Sequence, residues 1–182
     1  MAAQLIHFLQ VVRKDLGILM RLTKGEIPHM KNAAAAHWET AHVKLGWAQG
    51  DDGDAGHLMG AGDAFVSAYN FYIKGVRKNF ISNIFGAPDQ ADMYKRACES
   101  ALMAAMCYQM RGGKGVDVRD NIANARNTFQ LYYEAEVQAE HVRYNSIGGA
   151  DGAIIPVACP TPKTKRRLDG ERQELESAIS RA

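Results

Sequence analysis

Apolar residues recur at steps of three and four positions through most of this chain, the spacing that lines one face of an α-helix. The clearest run follows Asp63, a residue suited to cap a helix N-terminus, and reaches a helix stop at Gly86 and Pro88. Its apolar positions are Phe65, Val66, Tyr69, Ile73, Val76, Phe80 and Ile84. No segment sustains the period-two alternation of a half-buried strand. The pattern therefore predicts an all-α protein.

The same spacing predicts about five main helices in a bundle-like core. The first covers about residues 3–24, where apolar side chains form a seam at alternating steps of four and three. The second opens at Pro28, which fits the first turn of a helix. The run after Asp63 is the third. The fourth runs from Asp89 to about Gly112, and the fifth from Asp117 to about Gly148.

A glycine-rich stretch, residues 46–62, separates the second and third predicted helices. Its repeated glycines make a continuous helix unfavourable there. It lacks the GxGxxG and GxxxxGK[ST] spacings of nucleotide-binding loops. Asp51, Asp52 and Asp54 resemble calcium ligands, but no acid stands at the twelfth position of an EF-hand loop. We predict a polar connection rather than a site, with a weak metal or partner contact as the alternative.

The C-terminal part of the chain differs in character from the rest. The stretch AIIPVACPTPKTKRR, residues 153–167, holds three of the five prolines and predicts an extended arm. A short charged helix, about residues 170–180, follows it. We therefore predict a helical core domain, residues 1–147, and a C-terminal arm with its terminal helix, residues 148–182.

Composition narrows the class of protein only moderately. A net charge of +2 over 182 residues lacks the basic excess of a dedicated nucleic-acid binder. Three widely spaced cysteines argue against a disulfide framework and fit a reducing compartment. Charged residues at 13–15 interrupt the N-terminal apolar stretch, which argues against a secretory signal, and no run has the length of a membrane span. We predict a cytoplasmic or virion protein without a membrane span.

The motif HWETAH is the main candidate for chemistry. Glu39 and His42 share a helix face, as in the half-sites of di-iron four-helix bundles. The second half-site is missing because no acid stands three residues before His141. Neither a metal site nor a cofactor is therefore predicted. A small helical enzyme or toxin-like domain that uses His37, Glu39, His42 or His57 is the second alternative function.

Basic residues on the third predicted helix and in the tail give the first alternative. Such a face could follow a phosphate backbone without reading bases. The candidate nucleic-acid-binding residues are Lys74, Arg77, Lys78, Lys163, Lys165, Arg166 and Arg167. A helix that keeps its solvent side charged explains the same residues, and we favour that interpretation.

The preferred hypothesis is a non-enzymatic structural protein that forms homo- or hetero-oligomers, such as a viral virion or nucleocapsid component. It depends on two apolar segments that a lone bundle does not need, the seam of the first helix and the arm. The candidate oligomer contacts are Leu5, Leu9, Val12, Leu16, Ile154, Ile155 and Val157. Its expected partners are copies of itself or other structural subunits.

Overall fold

The computed structural model describes residues 29–48, 55–78, 89–112, 115–147 and 160–181. Within these ranges the chain forms five α-helices and no strand, and the helices pack as a bundle-like core. The predicted all-α class is therefore confirmed. The predicted first helix, residues 3–24, and the arm residues 148–159 lie outside the described residues.

The helices, numbered along the described chain, largely follow the predicted order. They are α1, residues 29–48; α2, Ala55–Lys78; α3, Asp89–Met110; α4, Val116–Ile147; and α5, Pro162–Arg181. The prediction for α3 was correct at its start, and that for α4 was within one residue at both ends. Gly112, with φ of 86°, ends α3 in the left-handed conformation that glycine adopts without strain.

Small side chains bring α1, α2 and α3 into close contact. Each of the three helices contributes alanines that are completely buried between them: Ala34 and Ala41 from α1, Ala61 and Ala68 from α2, and Ala97 and Ala104 from α3. Phe65 of α2 fills the centre of this layer, where its ring meets the rings of Trp38 and His42 edge-on. Alanine costs no side-chain entropy when it is buried, and it lets neighbouring backbones approach.

Glycines of α2 extend this close packing, which corrects the predicted connection. The helix begins at Ala55, so Gly56, Gly60 and Gly62 lie inside it rather than in a loop over residues 46–62. A Cβ on Gly62 would lie 2.6 Å from the Tyr108 ring of α3. Asp63 is likewise not an N-cap, because it lies in the third turn of α2, where its carboxylate accepts a 2.7 Å hydrogen bond from the Tyr108 hydroxyl. The aspartates Asp51, Asp52 and Asp54 lie outside the described residues.

A second layer joins α3, α4 and α5. Ala91, Cys98 and Ala101 of α3 pack in one cluster with four side chains of α4, namely Ala125, Phe129, Tyr132 and Ala135. Leu168, Leu175 and Ile179 of α5 complete the cluster. The terminal helix is therefore longer than the predicted 170–180 segment, and residues 162–167, assigned to the extended arm, form its first turns.

Contacts between the helices define two ends of the bundle. At the Met30 end, the start of α1, the last turn of α2 and the start of α3 meet, because Met30 and Met93 both border Gly75. At the Trp47 end, the end of α1 meets the start of α2, where the rings of Trp47 and His57 lie 5.5 Å apart. The turn from α3 to α4 lies at the same end. Helix α4 returns towards the Met30 end, since Ala135 clusters with Ala91 near the start of α3.

The glycine of closest approach gives a test of this packing. We expect Gly62→Ala to destabilise the fold by about 1–3 kcal/mol, the usual cost of overpacking, because the Tyr108 ring is rigid and cannot yield at its edge. Gly170→Ala in α5 is the matched control. A Cβ there meets nothing within 4 Å, so helix propensity alone should stabilise the protein by about 0.5–1 kcal/mol. Urea denaturation measures both, and a stabilised Gly62→Ala variant would contradict the packing described here.

Candidate functional site

The described basic residues of the predicted nucleic-acid site lie at the Met30 end. Lys74, one turn before the end of α2, is exposed, and its ammonium lies 5.6 Å from the Phe71 ring centroid. Arg77 and Lys78 belong to the last turn of α2, but their side chains lie outside the described residues. The tail residues Lys163, Lys165 and Arg166 occupy the first turns of α5, where they are also exposed.

Arg167 differs from the other tail cations because it is engaged within the fold. It donates hydrogen bonds to the Tyr132 hydroxyl at 2.8 Å and to Glu171 at 3.0 Å, and it also pairs with the Glu136 carboxylate. The contacts with Tyr132 and Glu136 tie α5 to α4. A guanidinium held by two carboxylates attracts a phosphate less strongly than a free one.

Glu140 of α4 closes the N-terminus of α5. Its carboxylate accepts hydrogen bonds from the Thr161 amide at 3.1 Å and the Thr161 hydroxyl at 2.7 Å. It also accepts one from the Thr164 hydroxyl at 2.9 Å. A carboxylate at this position accepts hydrogen bonds from donors at the start of the helix, and it is attracted by the positive end of the helix dipole. It also offsets the four positive charges of the first turns of α5, which interact unfavourably with that dipole: Lys163, Lys165, Arg166 and Arg167.

Exposed apolar side chains collect at the Trp47 end. Six large hydrophobic residues are exposed in the described part of the chain, and all but Leu131 lie within five residues of the helix terminus at this end: Val43, Trp47, Met59, Met110 and Val116. We call these five residues the apolar end. More than half of the surface of Trp47, Met110 and Val116 is accessible to solvent. Apolar side chains exposed at one end of a bundle mark a contact site more often than exposure scattered over the surface does.

A groove of about 350 Å³ runs between α3, α4 and α5. Its apolar lining consists of Cys98, Leu102, Phe129, Tyr132, Leu175 and Ala178. The charged groups at the groove are Lys95, Glu99, Glu171 and Glu174, and the Lys95 ammonium lies 3.8 Å from the Glu171 carboxylate. Partial burial raises the pKa of Glu99, against the opposing effect of Lys95 and Arg96. The groove therefore combines an apolar interior with an excess of two negative charges.

The histidines of the enzyme alternative do not converge on one site. The His37 ring stacks on Phe71 at 5.3 Å, whereas His42 meets Trp38 and Phe65 edge-on. His57 contacts Trp47 at the far end of α1. Glu39 is exposed on α1. Within the described ranges, no three His, Cys, Asp or Glu side chains form a group that could hold a metal ion.

Both described cysteines are buried without a disulfide partner, as expected for small apolar residues. Burial raises the pKa of the Cys98 thiol to about 12 and that of Cys107 to about 11. Neither thiol therefore has the lowered pKa of a nucleophile at neutral pH.

The predicted oligomer contacts Leu5, Leu9, Val12, Leu16, Ile154, Ile155 and Val157 all lie outside the described residues, and that assignment stays a prediction. Sequence reasoning missed Glu140 and the apolar end. The signal for the first was Thr161 directly before Pro162, an N-cap residue followed by the residue favoured at the first helical position. No helix among the described residues is both long and apolar enough to cross a membrane.

The chain matches no protein-family model, no curated protein and no solved structure. Its candidate sites are therefore defined by their own geometry alone.

The cap at Glu140 predicts an acid-sensitive attachment of α5. Hydrogen bonds from Thr161 and Thr164 lower the pKa of Glu140, and Arg126 lowers that of Glu176 on α5. Both carboxylates stabilise the fold above their unfolded-state pKa of about 4.3, and this contribution is lost as pH falls through the lower folded-state values. The melting temperature of Glu140→Gln should therefore be lower than that of the native chain at pH 7. The two melting temperatures should converge at the acid end.

Glu134→Gln on the exposed side of α4 is the matched control for this prediction. It should leave the melting temperature almost unchanged at both pH values. If the melting temperature of Glu140→Gln is lowered as much at the acid end as at pH 7, the charged carboxylate is excluded as the cause.

Proposed function

We propose that this protein is a non-enzymatic assembly subunit whose copies associate through the apolar end. The observation that carries the proposal is the collection of Val43, Trp47, Met59, Met110 and Val116 at one end of the bundle. Aromatic residues and methionine are enriched at the cores of protein interfaces, and tryptophan is among the commonest residues that dominate binding energy. Leaving these side chains in water gives no folding advantage.

The surroundings of the apolar end favour a second copy as the partner. Exposed charges of both signs flank the turn from α3 to α4, with Arg111 and Arg119 beside Asp117 and Asp120. In a two-fold contact each patch meets itself, so a rim of mixed sign can pair with its own copy, whereas a rim of one sign would repel it. An apolar centre within a polar rim is the usual anatomy of such interfaces.

The type of assembly in which this subunit would take part is proposed from the sequence alone. An assembling helical subunit suits a viral shell, tail or nucleocapsid, and we retain that proposal for the chain. In such an assembly the N-terminal seam or the arm could supply further contacts. The apolar end is the part of this proposal that described residues support.

Replacing the apolar end with polar side chains tests the proposal. We expect the double variant Trp47→Ser, Met110→Ser to weaken self-association by more than about 1 kcal/mol, the scale of a truncated interface anchor. Light scattering coupled to size-exclusion chromatography, over a wide range of protein concentration, measures the change. Leu131→Ser on α4 is the matched control, because it also removes an exposed apolar side chain but lies outside the apolar end. A native chain that stays monomeric at every concentration would exclude the proposal.

A second candidate function, binding to a nucleic-acid phosphate backbone, is favoured by one observation. Lys74 and the three cations Lys163, Lys165 and Arg166 are exposed at the Met30 end, opposite the apolar end. A subunit that assembles through one end would leave the other free for a polyanion. The binding surface in this candidate includes fewer cations than the sequence suggested, because Arg167 is held by Glu136 and Glu171.

Charge reversal separates this candidate from simple solvation of a helix face. Lys163→Glu with Lys165→Glu should weaken binding to DNA or RNA of any sequence and reduce the slope of affinity against salt by about two. Arg111→Glu at the Trp47 end is the control and should leave the slope unchanged. Native protein that binds no nucleic acid at low salt would rule this candidate out.

A further inference from the structure

We propose that the groove between α3, α4 and α5 binds a small organic cation, in which an ammonium group is carried on an apolar body. The inference is independent of the assembly proposal, since it concerns a different surface and a different kind of partner. Three observations support it: the size and lining of the groove, two carboxylates that lack an ion-pair partner, and a lysine ammonium that already lies near an aromatic ring of the groove.

The groove has the dimensions of a small-molecule site. Its two walls are single faces of α3 and α5, because the lining positions on each helix are spaced by three, one and three residues. These positions are Lys95, Cys98, Glu99 and Leu102 on α3, and Glu171, Glu174, Leu175 and Ala178 on α5. Seven residues of helix make each wall about 10 Å long. With a volume of about 350 Å³, the groove lies at the lower end of the range for ligand pockets, and it is too short to hold another helix of the bundle.

The interior of the groove suits an apolar body. Phe129 and Tyr132 of α4 are buried and form its floor between the two walls. Leu102 on the α3 wall and Ala178 on the α5 wall are only partly buried, so each presents apolar surface to the groove. A ligand with a ring or a short alkyl chain would cover this surface and remove it from water.

The charges of the groove select the sign of the ligand. Lys95 pairs with Glu171 across the groove, with 3.8 Å between the ammonium and the carboxylate. Within the described residues, Glu99 on one wall and Glu174 on the other form neither an ion pair nor a hydrogen bond. Burial raises the pKa of Glu99 against the opposing effect of nearby cations, so this carboxylate is partly removed from water without a close partner. A cation in the groove would supply that partner, whereas an anion would be repelled.

One cation of the protein already shows this mode of contact. The Lys95 ammonium lies 5.8 Å from the centroid of the Tyr132 ring, within the distance at which a cation is attracted to an aromatic face. Carboxylates beside aromatic rings are the usual means by which proteins bind organic ammonium groups. The combination of an aromatic floor with two unpaired carboxylates therefore points to an ammonium compound rather than to a neutral or anionic one.

Three probes of nearly equal size test the selectivity of the groove in the full-length native chain. They are phenethylammonium, the neutral phenethyl alcohol and the anion phenylacetate, each followed by the NMR shifts of backbone amides during a titration. We expect phenethylammonium to shift amides of the groove, with a dissociation constant of about 1 mM or lower. It should bind about three- to tenfold more tightly than phenethyl alcohol, the effect of two partly exposed ion pairs, and phenylacetate should bind most weakly.

Two groove variants and a control identify the carboxylates as the cause. Glu99→Gln with Glu174→Gln keeps the shape of the groove, so it should reduce the affinity for phenethylammonium to that for phenethyl alcohol and leave the latter unchanged. Ala178→Trp fills the groove and should abolish the binding of both probes. Glu134→Gln removes an exposed charge from α4 outside the groove and should change neither affinity.

Circular dichroism checks that each variant retains its helices. Native protein in which phenethylammonium shifts no groove amide overturns the proposal. So does equal affinity for the ammonium and the alcohol, or ammonium binding that survives the loss of both carboxylates, because the selectivity of the groove for cations would then be absent.

Discussion

The close approach of α1, α2 and α3 is the constraint on which the rest of this fold depends. Completely buried alanines on each helix, with Gly62 directly against the Tyr108 ring, leave room for few large side chains between them. Phe65 is the main exception and occupies the centre of the layer. Packing by small residues gains little hydrophobic energy per residue, since alanine buries only a methyl group. It requires accurate geometry instead, because a single added carbon at Gly62 meets a rigid ring.

This layer fixes the position of every surface considered above. The Tyr108 hydroxyl bonds to Asp63 on α2, and this contact orients the end of α3 and the turn that follows. This turn places Met110 and Val116 at the same end of the bundle as Trp47. The opposite face of α3 carries Cys98 and Leu102, which receive α4 and α5 and form one side of the groove. The apolar end and the groove are thus consequences of one helix, α3, packed on both sides.

The sequence predicted the helices well where a single rule governed them. Asp89 at the start of α3 and the glycines after Met110 are local signals, and no tertiary contact opposed them. The start of α2 was wrong because glycine was interpreted only through its backbone freedom. In the fold, the absence of a side chain at Gly62 matters more, because the Tyr108 ring occupies the position that a side chain there would need. Tyr108 is forty-six positions further along the chain. No local pattern contains that contact.

The candidate sites were less predictable for a related reason. Whether a charged or apolar side chain is available depends on its neighbours in space, which the sequence order does not give. Arg166 and Arg167 are adjacent in the chain, yet only Arg167 is held by Tyr132, Glu136 and Glu171. Trp47 and Ala48 are likewise adjacent, yet Ala48 is buried while the Trp47 side chain is more than half exposed. The sequence identified the residue types correctly and could not separate the engaged from the free ones.

Helix α5 is the element whose attachment depends most on polar contacts. It buries only Leu168, Leu175 and Ile179, whereas its remaining ties to the bundle are ion pairs and hydrogen bonds near the surface. Exposed ion pairs contribute little each, typically under about 1 kcal/mol. A helix held in this way opens at lower free energy than the alanine-packed layer, and it does so as a unit. Since α5 forms one wall of the groove, opening it removes the groove as well.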